Sequence, residues 1–296
     1  MTKGVFTALT TPFTPQGNLD IVNLQKLLTA QLNAGVDGIV LLGTTAEAAT
    51  LTAAEKQQVL QTAVPMLKGK AKIIIGTGTN NTVTTLENTR AVKPFLPDAV
   101  LVVTPYYNKP NPSGLIAHYQ AVAKEGLPII MYHIPGRTGL KVPAAVLAQV
   151  LAQVPQIVGV KESDYDMAHV TDTAVRYSKK ISYLCGNDDL FPHYLSINAA
   201  GIISAAGNVI APAFVKIYNL FKSGKTAEAF DVFSAIYPLI KACYLETNPT
   251  CVKYMLAQLG FGTQTVRLPL GEISAEHKTQ IDALLKGTDK SLLIQG

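Results

Sequence analysis

Short apolar, β-branched runs recur along the chain at fairly even intervals, and longer helical stretches fill the gaps between them. The runs fall near residues 4–9, 37–42, 71–76, 99–104, 128–132, 157–161, 181–185 and 201–205. Their starts lie roughly 20 to 34 residues apart, about the length that a strand, a loop, a helix and a return loop require. Runs such as KIIIG (72–76) and QIVGVK (156–161) are too continuously apolar for a sheet with one wet face. Helix signals agree with this reading. Thr52 and Glu55 make a capping box before KQQVLQTAVPML, and Pro143 suits the first turn of AAVLAQVLAQV. Leu24, Leu27, Leu28 and Leu32 share one face of a helix that stops at Gly35. Eight right-handed βα units close most economically into an α/β fold of the (β/α)8 TIM-barrel type; an open doubly wound sheet is the rival arrangement. Beyond about residue 224 the strand runs stop and three helical stretches follow. The expected organisation is a barrel over 1–224 and a C-terminal helical extension over 225–296.

Composition narrows the functional classes. With 48% apolar and 15% charged residues in 296, the chain can bury a large core. Its net charge of +5 is scattered, with no run of five like charges, so neither a nucleic-acid platform nor a polybasic membrane anchor is expected. The apolar runs are strand-sized, far below the roughly 18 residues of a membrane span. The start, MTKGVFTALTTPF, has no signal-peptide pattern, and a cytoplasmic location is expected. Cys185, Cys243 and Cys251 fit neither a disulfide framework nor a zinc site, and the five histidines show no HExxH spacing, so no metal and no cofactor is expected. Gly76-Thr77-Gly78 lacks the third glycine of a dinucleotide fingerprint, because position 81 is Asn81. Gly224-Lys225-Thr226 follows a helix, unlike the tail of a phosphate-binding loop.

A parallel barrel builds its active site at the C-terminal ends of its strands, so the strand list is also a site list. Thr44 and Thr45 follow strand 2, and Tyr107 follows strand 4. Tyr132 ends strand 5 with Arg137 just beyond, Lys161 ends strand 6, and Gly186 follows strand 7. Lys161 is the most informative of these. It shares a face with Gly159, which leaves space around its stem inside the barrel. It either snorkels past the rim or serves as an amine nucleophile. A free lysine is only ~0.1% neutral near pH 7.5, and a dry, apolar strand end favours the neutral amine that Schiff-base chemistry needs. Tyr132, Tyr107 and Thr44 are hydroxyl candidates for proton transfer; the alternative for the tyrosines is a core residue with a satisfied OH. The turn at Gly43-Thr44-Thr45 is either an anion-binding turn or a plain helix cap. Arg137 is either a fork for a second carboxylate or a rim arginine.

Taken together, GTTAEAATL (43–51), VTPYYNKP (103–110), YHIPGRTG (132–139), GVKE (159–162) and NPTCVK (248–253) resemble the dihydrodipicolinate synthase family. These motifs stand in family order and spacing across the barrel and into the helical tail. The resemblance implies a pyruvate-dependent class I aldolase type of lyase that condenses pyruvate with aspartate semialdehyde in lysine and diaminopimelate synthesis. It implies a Schiff base between pyruvate and Lys161, and a general acid and base in Tyr132. Thr44 and Tyr107 would complete a proton relay, Tyr107 reaching in from a neighbouring subunit. Thr45 with Thr44 would hold the pyruvate carboxylate, and Arg137 would position Tyr132 and bind the semialdehyde carboxylate. Gly186 and Ile203 would line the pyruvate pocket. A homotetramer, built as a dimer of dimers, is implied as well.

The chain departs from the family at Ala46 (usually Gly), Ala48 (usually Ser), His133 (often Asn) and Cys251 (usually Pro). If the turn needs a positive φ at Ala46, that residue is strained by roughly 1 kcal/mol or more. Lysine-inhibited members carry His, His and Glu where this chain has Ala53, Lys56 and Thr84. Asn80 and Tyr106 remain, but weak or absent lysine feedback is expected. Two rival functions are a sialic-acid or keto-deoxy-sugar-acid lyase of the same superfamily, and a non-catalytic barrel that binds a keto acid.

Overall fold

The computed structural model describes residues 2–295. Eight parallel strands follow one another in chain order around a closed barrel. They are β1 (Gly4–Ala8), β2 (Gly38–Leu41), β3 (Lys72–Gly76), β4 (Ala99–Val103), β5 (Ile129–His133), β6 (Ile157–Glu162), β7 (Ser182–Cys185) and β8 (Gly201–Ser204). Each lies within one residue, at either end, of the run read from the sequence. Closure removes the doubly wound alternative, which would leave two unpaired sheet edges. Among the described residues no helix is long and apolar enough to cross a membrane.

The chain forms two compact units, one of Ile73–Ile203 with the N-terminal residues up to Lys3, the other of Gly4–Lys72 with the chain from Ser204 onward. In the first unit, β5 pairs with β6 as Ile130↔Gly159, Met131↔Val160, Tyr132↔Lys161 and His133↔Glu162, after a register shift between Ile129 and Ile130. Its core holds Ile74, Val100, Val102, Ile130, Val160, Tyr183 and Ile202, all buried. Polar caps satisfy the first N–H groups of its helices: Asn81 before Thr82–Val92, Asn111 before Pro112–Ala123 and Asp166 before Met167–Tyr177. Pro143 stands as the cap of Ala144–Gln153 and not within its first turn, because its extended ψ of 149° keeps it outside the helix.

In the second unit, β1 and β2 pair as Phe6↔Gly38, Thr7↔Ile39 and Ala8↔Val40. The helix Ile21–Asn33 buries Leu24, Leu27 and Leu28 and leads to Gly35 at φ +77°. Leu32, expected on that face, is only half-buried. Gln31 takes the buried place instead, accepting from the Thr7 hydroxyl and donating to the carbonyls of Gly207 and Asn208. The capping box of Thr52 and Glu55 starts Ala53–Leu67 as expected. After β8 come Gly207–Lys222, Thr226–Ala242, Thr250–Gln258 and Ala275–Gly287. The first of these kinks at Ile210 (φ −119°, ψ 29°), two residues ahead of Pro212, where the proline ring crowds the preceding turn.

Gly38 has a packing reason. A Cβ there would stand 2.2 Å from Phe6 Cε1 and 2.8 Å from the carbonyl oxygen of Lys72. Gly38→Ala should therefore destabilise the protein by roughly 1–3 kcal/mol, read as a lower urea midpoint. An unchanged midpoint would show that this strand pair has room to spare.

Candidate active site

The register of β5 and β6 decides which side chains meet. Partners in a parallel pair share a face, and the next pair along faces the other way. Tyr132 and Lys161 are one such pair, His133 and Glu162 the next. Lys161 is only 6% exposed, and its Nζ sits 4.2 Å from the centroid of the Tyr132 ring, itself buried. That geometry stabilises a cation by the ring's negative face while keeping the phenol beside the amine. The snorkelling alternative is thereby set aside for Lys161.

Space for the lysine comes from a different glycine than the sequence suggested. The atoms nearest a Cβ at Gly159 belong to Ser182 and Ile130, not to Lys161. A Cβ at Gly186 would instead stand 3.0 Å from Lys161 Cε and 2.0 Å from Ser163 Oγ. Gly186 is thus in contact with the lysine arm, and its N–H holds the Glu162 carbonyl at 2.7 Å. Ile203 is fully buried on β8.

The loops beyond β4 and β5 carry the other predicted residues of this unit. Arg137 lies exposed on the single helical turn Pro135–Thr138. Tyr107 takes a left-handed φ of +71°, and its N–H reaches the Thr138 carbonyl at 3.4 Å, which ties the two loops together. Tyr107 is 88% exposed, so its side chain stands in solvent and is not packed against the buried Tyr132.

Behind the Tyr132–Lys161 pair lies a buried polar cluster that sequence reasoning did not single out. His133 Nδ1 is 2.7 Å from Glu162 Oε1, and His169 Nε2 is 3.7 Å from Glu162 Oε2. The Asp164 N–H also donates to Glu162 Oε1, at 2.8 Å. Burial pushes the Glu162 carboxyl upward, but the His133 hydrogen bond and the nearby His169 imidazole outweigh it and hold the group below its usual range. The neighbouring Glu162 carboxylate, at ion-pair distance, in turn holds His169 above the ordinary histidine value, against its burial. His133, Glu162 and His169 could by distance hold a metal ion, since their ligand atoms lie within 4.8 Å of one another. The His133 tautomer argues otherwise. Its Nε2 accepts the Val142 N–H at 3.0 Å, so the ring proton sits on Nδ1 and fills the gap to Glu162. One signal was available in the sequence: a Glu directly after Lys161, on the outward side of an apolar strand, requires a partner.

The second unit carries the threonine turn. Thr44–Ala46 is one 3-10 turn after β2, closed by N–H bonds from Ala46 to Gly43 and from Glu47 to Thr44. Those bonds leave the leading N–H groups, on Thr44 and Thr45, directed off the start of the turn. The positive φ values fall on Leu42 (+54°) and Glu47 (+52°), not on Ala46, so the expected strain at Ala46 is absent. Ala46 is buried, and its carbonyl accepts the Thr11 hydroxyl. Thr44 is exposed, whereas Thr45 is 3% exposed and receives the Asn248 side-chain amide at 3.0 Å. Glu47 forms a buried ion pair with Lys253, whose ammonium also lies over the Phe13 ring. Burial lowers Lys253 to about 8, with Glu47 pulling the other way.

A closed parallel barrel with a buried lysine at a strand end is the layout of the barrel enzymes, whose chemistry stands at that rim. Comparison with known proteins narrows this to one family. Residues 1–288 match the model of the dihydrodipicolinate synthetase family. A 4-hydroxy-tetrahydrodipicolinate synthase from Methanospirillum hungatei is 38% identical over 292 residues, covering 98% of this chain and 100% of that protein. The dihydrodipicolinate synthase of Aquifex aeolicus superposes with a TM-score of 0.94 at 33% identity, over 100% of both chains. The pyruvate complex of the chloride-inhibited synthase from Acinetobacter baumannii matches with a TM-score of 0.93 at 32% identity, over 97% of this chain and 98% of that one. The chain belongs to the dihydrodipicolinate synthetase family.

The His169–Glu162 pair makes a pH prediction. A histidine held above its ordinary value stabilises the fold fully below about pH 6.5 and loses that contribution as pH rises through the folded value. A carboxylate held low contributes above about 4.5 and loses it as pH falls. The gap in thermal midpoint between the wild type and His169→Ala should be wider near about pH 5.5 than at about pH 9. An equal gap at both would show that the pair is not ionic.

Proposed function

We propose that this chain condenses pyruvate with aspartate 4-semialdehyde through a Schiff base on Lys161. The carrying observation is the buried Lys161 amine seated over the Tyr132 ring at paired strand ends. Family membership supports the choice of substrates. The Lys161 amine adds to the pyruvate ketone and water leaves. The iminium then acts as an electron sink, so a methyl proton is lost and an enamine forms. The enamine carbon attacks the aldehyde, and the amine of the second substrate displaces Lys161 as the ring closes.

In this reading Tyr132 passes protons in these steps, and Thr44 and Tyr107 are the further members of the relay. Thr45, with Thr44, supplies donors to the pyruvate carboxylate. Arg137 supplies a fork for the semialdehyde carboxylate and steadies Tyr132. Gly186 and Ile203 shape the pocket for the small methyl ketone. The exposure and left-handed backbone of Tyr107 suit a side chain that enters a neighbouring subunit, and so support the homotetramer, a dimer of dimers. The reaction draws on central metabolites, which fits a cytoplasmic enzyme.

A coupled assay with both substrates and a downstream reductase tests the reading. Turnover of this pair, with no cleavage of N-acetylneuraminate, is the expected result. Sialic-acid cleavage, or no turnover of either, would replace it with the rival lyase or with a binding-only barrel. Lysine at millimolar concentration should leave the rate nearly unchanged, since Ala53, Lys56 and Thr84 give its ammonium no carboxylate. Strong inhibition would contradict that account.

A further inference from the structure

The threonine turn is gripped by a segment more than 200 residues further along the chain. Asn248 and Lys253 flank the start of the helix Thr250–Gln258. Lys253 holds one carboxylate oxygen of Glu47, and the Arg267 N–H holds the other at 2.8 Å. That two-sided anchorage fixes Glu47 in its left-handed conformation and so fixes the end of the turn. Asn248 reaches the middle of the turn, its Nδ2 standing 3.0 Å from Thr45 Oγ1, with both residues buried.

The direction of this hydrogen bond has a chemical consequence. An amide N–H can only donate, so Thr45 Oγ1 is the acceptor. The hydroxyl hydrogen of Thr45 is then turned away from Asn248 and available to a second acceptor. Accepting one bond also polarises the hydroxyl and strengthens it as a donor. A carboxylate is an acceptor only.

We propose that Asn248 is a positioning residue that dedicates the Thr45 hydroxyl to donation, and thereby sets the affinity of the turn for the carboxylate of a 2-oxo acid. This rests on the assignment of Thr45 as a carboxylate ligand. Lys253 and Glu47 hold the backbone of the turn, while Asn248 sets the proton.

Steady-state kinetics with varied pyruvate test the proposal. Asn248→Ala should raise the pyruvate KM about tenfold, with kcat within about twofold and the semialdehyde KM unchanged. Asn248→Asp, nearly the same shape but an acceptor only, would capture the Thr45 proton and should raise that KM further than Ala does. In a Thr45→Val background the Ala and Asp substitutions should have no additional effect, because their target is gone. A wild-type KM in Asn248→Asp would overturn the proposal, since Asn248 would then be accepting from Thr45. An Asp effect that persists in the Thr45→Val background would also overturn it, showing repulsion of the substrate by charge. If Thr45→Val itself leaves the pyruvate KM unchanged, the carboxylate role of Thr45 fails and the proposal falls with it. If Thr45→Val raises KM but neither Asn248 variant does, only the role of Asn248 fails.

Discussion

The in-register pairing of β5 with β6 is the constraint on which the site depends. It places Tyr132 beside Lys161 on one face and His133 beside Glu162 on the other. A slip of one residue would exchange the faces, turning the carboxylate where the lysine belongs. The outward cluster resists that slip. Glu162 is fully buried, and a buried carboxylate costs several kcal/mol unless its oxygens are hydrogen-bonded. In this register His133 hydrogen-bonds Glu162 Oε1 from the next strand, the Asp164 N–H donates to the same oxygen, and His169 stands 3.7 Å from Oε2, all on the outer side. The chemistry of one face is thus fixed by the electrostatics of the other.

The threonine turn obeys the same logic within its own unit. Its backbone is closed by two 3-10 bonds, and its end is fixed by a carboxylate with two buried or half-buried partners. Lys253 is kept charged by Glu47 in a place where burial alone would favour the neutral amine. The two buried lysines therefore differ in kind. Lys253 is paired with a carboxylate and serves the backbone; Lys161 faces the ring of a phenol and is proposed to serve a substrate.

Much of this was legible in the sequence, because strand-sized apolar runs and helix caps are local signals. All eight strands and the ends that carry Thr44, Tyr107, Tyr132 and Lys161 could be read from them. The failures share a cause. Gln31 in place of Leu32, Gly186 in place of Gly159, and left-handed Glu47 in place of Ala46 depend on what lies across from each residue. The partners that hold Glu162 and Thr45 are likewise distant in the chain, 29 residues away for His133 and 203 for Asn248. Spacing along one strand or helix carries no trace of them. Family resemblance marked NPTCVK as a motif without saying that its Asn meets Thr45.

The central claim is that the amine beside Tyr132 captures a keto acid covalently. Incubation with pyruvate and borohydride, followed by intact-mass measurement and peptide mapping, tests it most directly. One reduced pyruvate per chain on Lys161, lost in Lys161→Ala, is the result this account predicts. An adduct on Lys253 or on a surface lysine, or no adduct at all, would contradict it.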